Sequence, residues 1–193
     1  MSGIIENIKR SVANYVLNKR LSKLKRDKKL VNLHNAGTIG ILYNVSSQTT
    51  FQIVKTLVKE LTTRQRQVMA LGFVNRKSIP NYCIAANSGY HFNLRDLNWY
   101  GAPKNDYIHE FINKEFDILI DLSLDDVFVF KYISGLSRSK FKVGRHNDNY
   151  LDCFDLMIKM EPNVSLDSLI EQVIHYLAVI KSPENKTASG SFR

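Results

Sequence analysis

Phe116-Asp117-Ile118-Leu119-Ile120-Asp121-Leu122-Ser123 is the stretch whose reading decides the fold. It is an apolar run bounded by carboxylates, too short for a helix of ordinary length and rich enough in β-branched residues to read as a buried strand. On its upstream side the spacing predicts a helix from about Asn105 to Lys114. Downstream, Ser123 followed three residues later by Asp126 resembles a capping box for a helix running through Tyr132 and Leu136. Phe141–Gly144 and Asp155–Met160 then read as two further strands, and Ser165 as the cap of a final helix bearing Leu166, Leu169, Ile170, Val173, Ile174 and Leu177.

Toward the N-terminus the same alternation holds. Gly37–Asn44 reads as a buried first strand, and Ser46 or Ser47 as N-cap of a helix with Phe51, Val54, Leu57, Val58 and Leu61 on one face. Val68–Val74 is a second strand. Pro80–Tyr100 is the least regular part, with short strands expected at Tyr82–Ala86 and Tyr90–Leu94. Strands separated by helices imply parallel pairing through right-handed crossovers, hence an α/β fold: a three-layer Rossmann-like sandwich with a mostly parallel sheet.

The chain has 193 residues, enough for one domain with a two- or three-layer core. Its charge is segregated. Residues 1–33 hold nine Lys or Arg against Glu6 and Asp27, a charge of +7 within a total of +9. A basic head on a nearly neutral body implies a head that meets something anionic. The organisation expected is a basic helical arm over 1–33, a single α/β domain over 34–181 and a disordered tail over 182–193, where the composition turns to Pro, Glu, Asn, Thr, Ser and Gly.

Within the head, Ile4, Ile5, Ile8, Val12, Tyr15 and Val16 recur at helical spacing on one face. From residue 17 the apolar positions Leu17, Leu21 and Leu24 move to roughly the opposite side, while Lys19, Arg20, Lys23 and Arg26 continue the line of the first stripe. Two readings stand. A basic amphipathic helix docks by its first turns and offers cations with its next ones, or breaks near Asn18. Alternatively, a solvated helix packs on its own domain with its cations simply facing water.

Several classes are set aside. No apolar run is long enough to span a bilayer, and the N-terminus lacks the apolar core and cleavage site of a secretory signal. A mitochondrial presequence is the weaker alternative, since the segment is basic and amphipathic but rich in Lys rather than Arg, with an early Glu6. Cys83 and Cys153 stand far apart with no CxxC spacing, which predicts a reducing, cytoplasmic setting. The five histidines show no metal-ligand spacing, so neither a metal nor a cofactor is assigned. No serine or cysteine carries a nucleophile signature, and no catalytic residue is assigned.

Ligands of such folds gather at the carboxyl ends of the strands. The first strand-to-helix turn, Tyr43-Asn44-Val45-Ser46-Ser47-Gln48-Thr49-Thr50, has no glycine, so a dinucleotide fingerprint and a P-loop are both absent. The pocket expected there is built from Ser46, Ser47, Asp121, Ser123, Arg145 and His146. Asp121, at the end of an apolar strand, must find partners, and capping of nearby amides is one way to do so. Tyr90, Phe92, Trp99 and Tyr100 flank Arg95, an arrangement for stacking on bases or, more simply, for packing.

The Phe116–Ser123 strand, taken with Leu136-Ser137-Arg138-Ser139-Lys140-Phe141-Lys142-Val143-Gly144, resembles the acceptor-side half of heptosyltransferase-type glycosyltransferases. The resemblance covers about thirty residues and implies a Rossmann-like fold more than a reaction. The nucleotide-sugar domain of those enzymes has no room in this chain, and their Gly-Asp turn is replaced by Val45-Ser46-Ser47. The whole chain also resembles a family of uncharacterised small proteins from Bacteroidetes.

The function expected is a non-enzymatic α/β binding module attached to a polyanion, foremost structured RNA or the ribosome, through Lys19, Arg20, Lys23, Lys25, Arg26, Lys28 and Lys29. Binding of a nucleotide sugar or other small anion is the alternative. Attachment to an anionic membrane surface is the third.

Overall fold

The computed structural model describes residues 2–85, 89–161 and 163–181. The tail expected from residue 182 onward lies outside the described residues. Six strands form one sheet: β1 (Thr38–Asn44), β2 (Gln67–Val74), β3 (Tyr90–Asn93), β4 (Ile118–Asp121), β5 (Phe141–Arg145) and β6 (Leu156–Ile158). Their order across the sheet is β3-β2-β1-β4-β5-β6. Every pairing between these strands is parallel. This is the doubly wound strand order, in which the chain reverses direction across the sheet between β1 and β4.

Side-chain alternation sorts the core into two layers. Ile39, Ile41, Ile118, Ile120, Phe141 and Val143 face one side, where they meet α2 (Gln48–Thr62) and α6 (Leu166–Val179). Leu42, Leu71, Phe73, Phe116 and Leu119 face the other and meet α4 (Asp106–Asn113) and α5 (Phe128–Leu136). Ser47, Asn105 and Ser165 cap α2, α4 and α6 through their side chains, satisfying amides that would otherwise have no partner. Gly40 lets the Phe116 ring lie flat on β1, since a Cβ there would come within 2.8 Å of it.

Asp117 ties the lower edge together. Its Oδ2 accepts from the amides of Gly37 and Thr38, each at 2.9 Å, and its Oδ1 from Lys140 Nζ at 2.8 Å. Burial pushes this carboxyl up, but the Lys140 bond and the two amides outweigh it and hold the group below the usual range.

Three expectations are corrected. The strand expected at Tyr82–Ala86 is not formed over its described residues, 82–85, since Asn81–Ala85 is a short helix, α3, in which the Pro80 carbonyl accepts from the Cys83 amide and closes a turn. Ser123 is not part of a capping box. Its hydroxyl goes back to Asp121, and α5 starts only at Phe128, behind Val127, which offers no side-chain cap. The sixth strand is also shorter than read, because Asp155 is held outside it, accepting from the Lys142 amide.

The N-terminal helix α1 (Ser2–Leu21) is continuous through Asn18. Its first turns do not pack on the domain. Ile4, Ile5, Ile8 and Tyr15 stand exposed at 67%, 63%, 54% and 66%, while Ala13 and Leu17 are buried. The physical reason lies in α5, where Gly135 leaves room for the Leu17 and Leu21 side chains beside Cys153. From Leu21 the chain runs as a strap past the N-terminal ends of β5 and β6. The Lys29 amide donates to the Lys140 carbonyl, and the Leu33 amide to the Leu177 carbonyl.

Candidate functional site

The crevice between β1 and β4 is where a doubly wound sheet offers a ligand site. Of the six residues expected at the strand carboxyl ends, Asp121, Ser123 and Arg145 line one cleft beside the ends of β4 and β5, joined by Asp125, Asn147, Tyr150 and Phe154. Ser46, Ser47 and His146 do not line it. Ser47 caps α2, Ser46 bonds Thr50, and His146 is held by its amide to the Ile158 carbonyl with its ring exposed. The cleft has about 10 Å³ of free room, roughly one water molecule. Its walls are tied shut. Asn44 Nδ2 donates to Asp125 at 2.6 Å, and Arg145 to the Leu124 carbonyl at 2.6 Å.

Asp121 is fully enclosed and already saturated. It accepts from the Ser123 amide at 2.9 Å, from the Ser123 hydroxyl, and from the Ser134 hydroxyl at 2.6 Å. Burial pushes its carboxyl above the ordinary range, against the pull of these hydrogen bonds. Behind it, Lys142 on β5 turns toward the C-terminal end of α5, donating to the carbonyls of Ser134 at 2.7 Å and Gly135 at 2.9 Å. Burial, followed by the nearby Arg26 charge, pulls this amine down to about 7. These groups form an internal polar spine, with no open face toward a substrate.

The basic segment divides into committed and open cations. Arg26, expected on the binding face, is buried in an ion pair with Asp155, and Arg20 donates to the Tyr132 hydroxyl and lies over its ring. Lys29 pairs with Asp27 at 2.8 Å, and Lys28 reaches Asp155 at 3.9 Å. Lys19, Lys23 and Lys25 are exposed and form no ion pair among the described residues. The helix ends at Leu21, so Lys23 and Arg26 do not extend a helical strip formed with Lys19 and Arg20.

A feature missed in the sequence is a second, larger cleft of about 480 Å³ between the first half of α1 and the loops after β4 and β5. Lys9, Arg10 and Asn14 of α1 face Tyr100, Phe128, Lys131 and Tyr150 across it. Its walls come from four separated stretches, none of which carries a motif.

The strand order and the helices on both faces define a doubly wound α/β protein. Residues 9–180 match the model of a family of unknown function, DUF6913, and the chain belongs to that family. No curated protein and no solved structure matches it. No helix among the described residues is long and apolar enough to cross a membrane, and no group of three or more His, Cys, Asp or Glu among them is arranged to hold a metal ion.

Proposed function

We propose that the protein is a non-catalytic α/β module that α1 seats on an anionic membrane surface. The observation that carries this reading is the exposed stripe of Ile4, Ile5, Ile8 and Tyr15 on the side of α1 away from Ala13 and Leu17. An apolar stripe beside Lys19 and the open lysines Lys23 and Lys25 has the composition of a helix that lies in a lipid interface. Each fully buried isoleucine contributes roughly 1.5–3 kcal/mol, and each lysine near an anionic surface about 1 kcal/mol.

RNA, the first polyanion expected from the charge, has no use for the isoleucines. A second copy of the chain would bring two +7 segments together, and repulsion opposes that pairing. The glycosyltransferase likeness of β4 and β5 would suit a nucleotide-sugar binder, but a cleft there with room for one water argues against it.

The test is flotation with phosphatidylcholine vesicles with and without phosphatidylglycerol. Wild type is expected to float with the anionic vesicles only, Ile5→Asp/Ile8→Asp to stay behind, and Lys19→Gln/Lys23→Gln/Lys25→Gln to float weakly. Retention on RNA that is indifferent to the isoleucine changes, with no flotation, would replace lipid by RNA as the partner.

A further inference from the structure

The cleft between α1 and α5 lies on the opposite side of α1 from the lipid-facing stripe and calls for its own ligand. Its volume, about 480 Å³, falls in the range of small-molecule sites. Three cations line it: Lys9 and Arg10 from α1, Lys131 from α5. None of the three has an acid within ion-pairing distance among the described residues. Two carboxylates share its walls, Glu6 and Asp126, the latter accepting from the Tyr150 hydroxyl and from Asn149 Nδ2 at 2.8 Å, so three cations face two acids. The potential in the cleft is therefore positive, and the uncapped start of α5 at Phe128 adds to it.

The remaining wall is aromatic and rigid. Tyr100 sits in a turn fixed by Asn98, whose Oδ1 accepts from the Tyr100 amide at 3.2 Å and the Ala102 amide at 3.0 Å. Gly101 completes this turn at φ +89°, a conformation that favours glycine. Phe128 and Tyr150 supply further ring surface, and Tyr150 is buried. Lys9 and Arg10 on the α1 wall, with Lys131 beside the rings on the other, match a ligand that carries both an anionic group and a flat ring.

We infer that this cleft binds a phosphorylated aromatic small molecule of the nucleoside monophosphate class, held by Lys9, Arg10 and Lys131 at the phosphate and by Tyr100 and Phe128 at the ring. The ligand bridges α1 and α5. Its binding needs no membrane, so this assignment stands or falls separately from the lipid reading.

The experiment is vesicle-free titration of the full chain with adenosine and guanosine monophosphates, with adenosine, guanosine and inorganic phosphate as controls. The readouts are equilibrium dialysis and the fluorescence of Trp99, whose ring meets Tyr100 edge-on at 5.4 Å. At least one monophosphate is expected to bind more tightly than its nucleoside or phosphate alone. Lys131→Gln and Arg10→Gln should each weaken it by about tenfold, the scale of one charge-assisted hydrogen bond, while Lys23→Gln leaves it unchanged. Thermal melting of all three variants checks that the fold is intact. Absence of binding by both monophosphates, equal binding of nucleoside or of inorganic phosphate, or an unchanged affinity in Lys131→Gln would overturn the assignment.

Discussion

Ser134 Oγ donates to Asp121 Oδ2 at 2.6 Å, and the same residue's carbonyl accepts from Lys142 Nζ at 2.7 Å. A buried carboxyl and a buried amine are thus joined through a single α5 residue. Both lie on the α5 side of the sheet, where the neighbouring positions are Leu42, Leu71 and Leu119. Enclosing two ionisable groups among apolar side chains is costly unless each is hydrogen-bonded, and here each is. The arrangement ties β4 and β5 to α5 and engages both oxygens of Asp121 within the protein.

Asp121→Asn therefore tests stability rather than turnover. Burial raises the folded-state pKa of this carboxyl above its unfolded value of 3.8. The stability it contributes is full below that unfolded value and is lost as pH rises through the folded one. In urea melts across the acidic range, wild type should lose stability relative to Asp121→Asn as pH rises from 4 toward neutrality. Parallel pH profiles for the two proteins would mean that Asp121 is solvated.

The sheet was legible in the sequence because its strands are short apolar runs between turn residues. Ile120, in the middle of the deciding stretch, is fully buried. The cap at Ser165 was equally plain. Less legible was α1, since periodicity says which residues share a face but not which face meets the domain. The docked face is marked by a small residue, Ala13, and by a glycine more than a hundred positions away, Gly135. The Tyr82–Ala85 run was ambiguous for a different reason: four apolar residues fit one helical turn as well as a short strand. Asp121 could be seen to need partners, but nothing local named Ser134. The charge of Arg26 was visible in the sequence, whereas its commitment to Asp155, across 129 residues, was not.

Arg26 is consequently a structural cation in a segment whose open cations are Lys19, Lys23 and Lys25. Its side chain is 5% exposed and that of Asp155 16%. Arg26→Gln should destabilise the fold by roughly 1.5–3 kcal/mol, the value of a hydrogen bond to a charged group. Lys23→Gln, at an exposed position, should stay within about 0.5 kcal/mol of wild type. Chemical denaturation of the two single variants separates these outcomes, and equal stability would place Arg26 on the open surface with the lysines.

Gly135 sets the approach of α1. An added Cβ would stand 3.4 Å from Cys153 Sγ, 3.5 Å from Leu21 and 3.8 Å from Leu17, all ordinary contacts. Gly135→Ala should be tolerated, with a helix-propensity gain of up to about 1 kcal/mol. Gly135→Leu has no room, and overpacking should cost roughly 1–3 kcal/mol and lift α1 from α5. Limited trypsin digestion reads this directly, with cleavage after Arg20 accelerated in Gly135→Leu and unaltered in Gly135→Ala.

Lys142 makes the fold sensitive to alkaline pH in an unusual direction. Burial pulls its amine from an unfolded value of 10.5 to about 7, with Arg26 adding repulsion. Between those values the unfolded chain carries a proton that the folded chain has released, so the group's contribution grows as pH rises and is lost as pH falls to about 7. The slope is about 1.4 kcal/mol per pH unit. It stands most clearly between about 7 and 9, because above 9.0 the Cys153 thiol, pushed by burial up to about 11, contributes in the opposite sense. Denaturant midpoints for wild type should therefore climb from pH 7 to 9, and those of Lys142→Met should not, since a thioether neither titrates nor serves the Ser134 and Gly135 carbonyls. Arg26→Gln should shift the onset of the climb to higher pH by removing the repulsion. A wild-type profile as flat as that of Lys142→Met would show that the amine keeps its proton in the folded state, so that a charged ammonium rather than a neutral amine is bound to the two carbonyls.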